Sequence, residues 1–268
     1  MRTSSTPKAG IGLRVSTALI VAFLYAPLLV TILYSFTTQT ASFTFPPPGL
    51  TTEWWSRGLA LSPMWSAMRL SLIVATISTA AAIVMGGFLA AAVYRARFFG
   101  RNALAFAVVL PIALPGIVTG IALRSTFSQF ELTPGTMTLV IGHTTFCIVI
   151  VYNNVVARLR RLSPNVTEAS SDLGASGWQT FRHVVLPNIA TALVAGGILA
   201  FALSFDEIIV TTFVAGQQQT LPIFIFSILF RPRAKPLVNV VALVAIAVTF
   251  IPVLVAQLLT RDEGGHVR

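Results

Sequence analysis

Residues 189–215 read IATALVAGGILAFALSFDEIIVTTFVA. The run exceeds the ~20 apolar residues that carry a helix across a bilayer, and its only charges are the adjacent Asp206 and Glu207. A soluble core helix rarely stays apolar on every face for so long, whereas a membrane span must. Working outward, similar runs occupy residues 15–36, 70–93, 103–123, 137–157 and 237–259. The third is interrupted by Pro111, Pro115 and Gly116, which predict a kink. Six apolar spans predict an all-α polytopic membrane protein.

The composition agrees. The chain has 268 residues, of which 55% are hydrophobic and 10% charged, with a mean hydropathy of +0.84. Soluble domains carry about 25% charged residues, so this chain has too little charge to coat a globule. Soluble enzymes, disordered tails and disulfide-rich modules are excluded on the same ground. The single cysteine, Cys147, lies inside an apolar run and excludes an intrachain disulfide and a multi-cysteine metal site. The net charge of +10 does not indicate nucleic acid, because the Lys and Arg residues sit mostly in short links between apolar runs.

Those links set orientation through the positive-inside rule. With the N-terminus inside, twelve Lys and Arg fall on cytoplasmic segments and six on outer ones, the cluster Arg231, Arg233 and Lys235 among the six. Both termini are therefore expected in the cytoplasm. The expected organisation is a tail over residues 1–14, a transmembrane domain over 15–260 containing a cytoplasmic loop at 158–188, and a tail over 261–268. The first run is too long for a signal-peptide core of ~7–15 residues and reads as an uncleaved anchor. In the outer loop at 37–68, Trp54 and Trp55 read as interface anchors or as contacts for an external protein.

The cytoplasmic loop has the composition of a structured element. Ser163-Pro164 reads as a breaker, with Asn165 or Thr167 capping a helix whose first turn holds Glu168, where a carboxylate complements the helix dipole. Small residues follow through Gly177, then Trp178 and Phe181 as apolar anchors, and Leu186-Pro187 is expected to end the element. The spacing Glu168-Ala169-Ser170, then Gly174, then Val184-x-Leu186-Pro187 closely resembles the EAA loop, EAA-x3-G-x9-I-x-LP. That loop belongs to the permease subunits of binding-protein-dependent ATP-binding-cassette importers. Ser170 and Val184 depart mildly from its Ala and Ile.

The resemblance implies a type I importer permease fold in a bacterial cytoplasmic (inner) membrane, in which the loop is a coupling helix docking on an ATPase subunit. Glu168, Ala169, Ser170, Gly174, Leu186 and Pro187 carry that role over. Its implied partners are two ATP-binding-cassette ATPases, a second permease and an extracytoplasmic solute-binding protein, with membrane lipid around the spans. The chain lacks G-x-x-x-x-G-K-[ST], so no cofactor is expected on it and ATP with Mg belongs to the partner ATPases. No catalytic or metal-ligating constellation is read, and the chain is expected to be a transport subunit rather than an enzyme.

Asp206 and Glu207 are the candidate cargo residues. Intramembrane carboxylates cost at least ~2.5–3.5 kcal/mol at the bilayer centre and normally face a bundle interior or a water-filled path. On a continuous helix from Ala190, Asp206 would lie about 24 Å along the axis, toward the outer side. A negative collar there favours cations. The alternative is a carboxylate paired with Arg69 or Arg124 for assembly. Leu203 to Glu207, Phe213-Val214-x-Gly216 and Thr220-Leu221-Pro222 also resemble the polyamine branch, the spermidine and putrescine importers. Other small solutes, including iron, a sugar or an amino-acid derivative, are the runner-up cargo. A proton-coupled secondary transporter and an intramembrane enzyme are the competing classes. His143, alone in the fourth span, reads as hydrogen-bonded packing.

Overall fold

The computed structural model describes residues 10–39, 44–95, 99–231 and 235–261. Residues 1–9 of the expected tail at 1–14 and residues 262–268 of the expected tail at 261–268, together with Arg97 and Arg233, lie outside the described residues. The described residues form helices α1 (Ile11–Ser35), α2 (Glu53–Leu59), α3 (Ser62–Arg95), α4 (Arg101–Ala113), α5 (Gly116–Gln129), α6 (Thr136–Leu159) and α7 (Pro164–Asp172). They continue as α8 (Gly177–Thr180), α9 (Leu186–Phe205), α10 (Ile209–Val214), α11 (Leu221–Leu229) and α12 (Lys235–Arg261), with one π-helical segment at Phe181–Val185. Among the described residues the only β-type pairing is an isolated antiparallel bridge between Thr37 and Leu50.

Among the described residues, five helices are long and apolar enough to cross a membrane, and a sixth span results if the bent pair α4 and α5 is counted as one. The pair is bent by 106°, far more than the expected kink. Its cause is local. Leu114 precedes a proline, which disfavours the helical region, and it is extended at φ −80°, ψ 146°. Pro111, by contrast, is accommodated inside α4.

The chain divides into two compact units, Met1–Leu61 with Ile228–Val244, and Ser62–Ser227 with Ala245–Arg268. In the first, the loop after α1 is tied to the end of that helix. Buried Trp54 donates its indole N–H to the Thr37 carbonyl at 3.0 Å, and Trp55 donates to Ser35 Oγ at 3.3 Å while stacking on Phe36. Arg57 pairs with Glu53 and lies over the Trp54 ring. These tryptophans therefore fasten the loop, and Trp54 is not available as the outer contact the sequence allowed.

In the second unit, α3, α6 and α9 pack on one another. Val74, Ala82, Val151, Val155, Ile189 and Ala200 are buried in their shared core. Close approach is what the glycines permit. A Cβ on Gly86 would stand 2.9 Å from the Ile148 carbonyl oxygen, inside any normal contact distance. Elsewhere in this unit α10 packs on α5 and α6.

Candidate functional site: a helical hairpin and an acidic break

The helix in the 158–188 loop begins earlier than the expected cap at Asn165 or Thr167. Pro164 sits at the first helical turn of α7 after Ser163, because its missing N–H costs nothing there. Glu168 therefore falls in the second turn, so the expected dipole complement in the first turn is absent. Its side chain is exposed, as are Ala169, Asp172 and Leu173.

Gly174 ends α7. It adopts φ +81°, and the Gly174 N–H donates to Ser171 O at 2.9 Å while the Ala175 N–H donates to Ser170 O at 3.1 Å. This pair of bonds is the Schellman closure, in which the residue after the helix takes the left-handed conformation. Ser170, where the motif has Ala, hydrogen-bonds through its hydroxyl to Thr180 at 3.0 Å, joining α7 to α8. Ser176 caps α8, accepting from the Gln179 N–H at 3.3 Å while Gln179 Oε1 accepts from the Ser176 N–H at 2.7 Å. Trp178 is 62% exposed and stacks on Phe181, which in turn stacks on Phe88 of α3. Phe181 is thus an anchor within the bundle, and Trp178 is left at the surface.

Leu186-Pro187 does not end the element, contrary to expectation. Helical structure runs from Gly177 to Phe205 without a stop. Proline lacks the N–H for an i−4 bond and crowds the preceding turn. The helix absorbs it by widening, so that the Leu186 N–H donates to Phe181 O, five residues back. Asn188 donates its side-chain amide to Val184 O at 2.7 Å, and Arg158 donates to the Asn188 carbonyl at 2.9 Å, joining α6 to the start of α9.

At the far end of this helix the acidic pair leaves the helical path, which corrects the expectation of a continuous helix through Asp206 and Glu207. α9 ends at Phe205, Asp206 is its C-cap, and α10 begins at Ile209. The two carboxylates take different roles. Glu207 Oε1 accepts from the Val210 N–H at 2.9 Å, capping α10. Asp206 is exposed, and among the described residues no hydrogen bond or ion pair reaches its carboxylate. Arg124, offered as a partner by the sequence, donates instead to the Phe213 carbonyl at 3.1 Å.

Beside this break is a cavity of about 530 Å³, walled by Ile117, Ile208, Ile209, Phe213 and Phe226 with Gln217, Gln218 and Gln219. Gly216, at φ +64°, turns the chain into it, and a Cβ there would meet the Pro134 carbonyl oxygen at 2.7 Å. His143 is buried as expected, but its hydrogen bonds cross the break, one to Ser204 and one to Thr211. Sequence reasoning missed α11, although Thr220 and Pro222 carry the signature of a helix start. It had no signal for the π segment, which depends on how α9 packs. Among the described residues no group of three or more His, Cys, Asp or Glu is arranged to hold a metal.

Comparison with known proteins follows the same lines. The putrescine transport system permease protein PotI of Escherichia coli (strain K12) is 33% identical over 255 residues, covering 92% of this chain and 90% of the relative. The spermidine/putrescine transport system permease protein PotC of Shigella flexneri is 32% identical, covering 93% and 95%. Among solved structures, a bacterial alginate ABC transporter in complex with alginate pentasaccharide-bound periplasmic protein matches with a TM-score of 0.73 at 13% identity. The match covers 94% of this chain and 93% of that one, and it concerns the fold. Residues 82–262 match the binding-protein-dependent transport system inner membrane component family, and with the helical spans and the relatives' identity this chain belongs to it as a multi-pass permease subunit of an ABC importer.

Proposed function

We propose that this subunit forms half of a path for a small organic polycation, a polyamine of the spermidine or putrescine type, across a bacterial inner membrane with both termini cytoplasmic. The observation that carries the reading is the single helical run Gly177–Phe205. Its 29 residues, at ~1.5 Å each, make a rod of about 43 Å with the coupling hairpin at one end and the acidic break at the other. A displacement of the hairpin by a partner ATPase is transmitted along such a rod to the break. Glu168, Ala169, Ser170 and Gly174 form the docking hairpin, and Leu186 and Pro187 lie where the hairpin joins the rod. ATP and Mg are held by the partner ATPases.

At the outer end, Asp206 presents a free carboxylate to a cationic ammonium group. The apolar cavity wall that follows it suits the methylene segments between such groups, and the glutamine amides supply acceptors. Glu207 contributes by capping α10 and by its charge. Two relatives named for putrescine and spermidine support the cargo. The family name and the alginate transporter solved with its periplasmic protein support a solute-binding protein as partner. A second permease completes the path.

The test is uptake of radiolabelled spermidine and putrescine by the full complex in proteoliposomes, with and without ATP. Asp206→Asn is expected to raise KM for the polycation by roughly fivefold or more, since one direct charge pair is removed. Glu168→Lys is expected to abolish ATP-driven uptake with insertion intact. Unchanged KM in Asp206→Asn refutes the cargo role, and normal uptake by Glu168→Lys refutes docking through that face.

A further inference from the structure

We infer that His143 is a positioning residue for the acidic break, holding Asp206 in its transport geometry without touching cargo. The inference rests on the cargo reading above for its consequence, though its geometry stands alone. His143 lies on α6, 1% exposed, with Nδ1 2.8 Å from Ser204 Oγ and Nε2 2.9 Å from Thr211 Oγ1. Those hydroxyls flank the break, Ser204 on the last turn of α9 and Thr211 on the first turn of α10. One side chain from a neighbouring helix therefore bridges the interruption at Asp206, Glu207 and Ile208, between Phe205 at the end of α9 and Ile209 at the start of α10.

The donors order themselves. The Thr211 hydroxyl donates to the Glu207 carbonyl at 2.8 Å, so its oxygen is left to accept, and His143 Nε2–H is the donor that reaches it. Nδ1 then carries the lone pair and accepts from the Ser204 hydroxyl. The result is a directed chain from Ser204 through the imidazole and Thr211 to the backbone of Glu207, adjacent to Asp206. All three side chains are buried.

The opposite end of α10 is held separately, by Thr138 Oγ1 donating to Val214 O at 2.7 Å. With both ends of α10 fixed to α6, the turn between α9 and α10 has little freedom to straighten. An apolar residue at position 143 removes this partner from the Ser204 hydroxyl, leaves Thr211 only its bond to the Glu207 carbonyl, and frees one end of that turn.

The experiment uses the full chain in its assembled complex with Asp206→Cys as a reporter. The native thiol, Cys147, is fully buried and serves as the unreactive internal control. A membrane-impermeant methanethiosulfonate labels position 206, and its rate is compared between His143, His143→Leu, His143→Gln and His143→Asn. His143→Leu is expected to change the rate by about fivefold or more, with partial return in Gln, which keeps a donor at Nε2, and in Asn, which keeps an acceptor at Nδ1.

Should His143→Leu fail to insert, Ser204→Ala and Thr211→Val remove the same two bonds and are expected to shift the rate likewise. Unchanged labelling in Ser204→Ala and Thr211→Val, or in His143→Leu, overturns the inference. In uptake, His143→Leu is expected to raise KM more than it lowers maximal rate, and to add nothing to Asp206→Asn in the double variant. Additive effects, or a loss of maximal rate alone with KM unchanged, would mark His143 as packing only. If Asp206→Asn itself leaves uptake unchanged, the cargo reading fails while the labelling comparison still decides the positioning role.

Discussion

Gly174→Ala isolates the conformational demand of the coupling hairpin. Gly174 stands at φ +81° and an added Cβ would meet nothing within 4 Å, so the substitution introduces no clash. What it adds is the cost of holding an L-residue in the left-handed region, about 1–2 kcal/mol. That lowers the ratio of closed to open hairpin roughly 5–30-fold. Asn tolerates this region better than Ala, and β-branched Val tolerates it worst. The expected order of intact hairpin is therefore Gly, Asn, Ala, Val.

Trypsin reads the opening directly in inside-out vesicles, because Arg160, Arg161 and Arg182 are exposed around the hairpin. Cleavage that tracks the open population should accelerate in the same order and by a similar factor. Coupled uptake with the ATPase partners should decline in parallel while insertion is unaffected. The reasoning is refuted if Gly174→Ala is cleaved and coupled like the native chain. It is refuted differently if Asn is as damaging as Val, since the glycine would then be required by a partner's surface rather than by its own backbone.

Two further substitutions address the break and its packing. Glu207→Gln keeps an acceptor for the Val210 N–H and should leave stability nearly unchanged, whereas Glu207→Leu removes the cap and should cost about 1 kcal/mol in detergent melts. A rise in KM for Glu207→Gln as large as that for Asp206→Asn would mean that Glu207 meets cargo as well. Gly120→Ala would drive a Cβ into the Phe213 ring at Cδ2, so α5 and α10 must part or the ring must turn, at about 1–3 kcal/mol. The Phe213→Leu background should restore part of that loss, and a thermal shift identical in both backgrounds would reject the contact.

Much of the fold was legible because membrane spans are written in composition. A bilayer tolerates backbone only when its hydrogen bonds are internal, so a long apolar run has few structures open to it. In the 158–188 loop the resemblance marked Glu168, Gly174 and Pro187, and the helix end is where a glycine was read, with Gly174 at φ +81°. Their detailed roles were not legible. Pro187 read as a stop, yet the helix passes through it by taking a π turn. Pro115 read as a kink, yet the chain breaks there by 106°. At Pro187 the helix keeps its path by widening, whereas at Pro115 the preceding Leu114 is driven into the extended region and the path breaks.

Asp206 and Glu207 mark the boundary between the two kinds of information. Sequence alone determined that two carboxylates lie together in a long apolar run, and that so costly a placement demands a reason. Only the tertiary structure separated them, with Glu207 turned back to cap α10 and Asp206 left exposed. It also set His143, sixty-one positions before Ser204 and sixty-eight before Thr211, against both hydroxyls that flank the break. No local pattern encodes such a contact, because it exists only once α6, α9 and α10 have packed and brought the imidazole between the two hydroxyls.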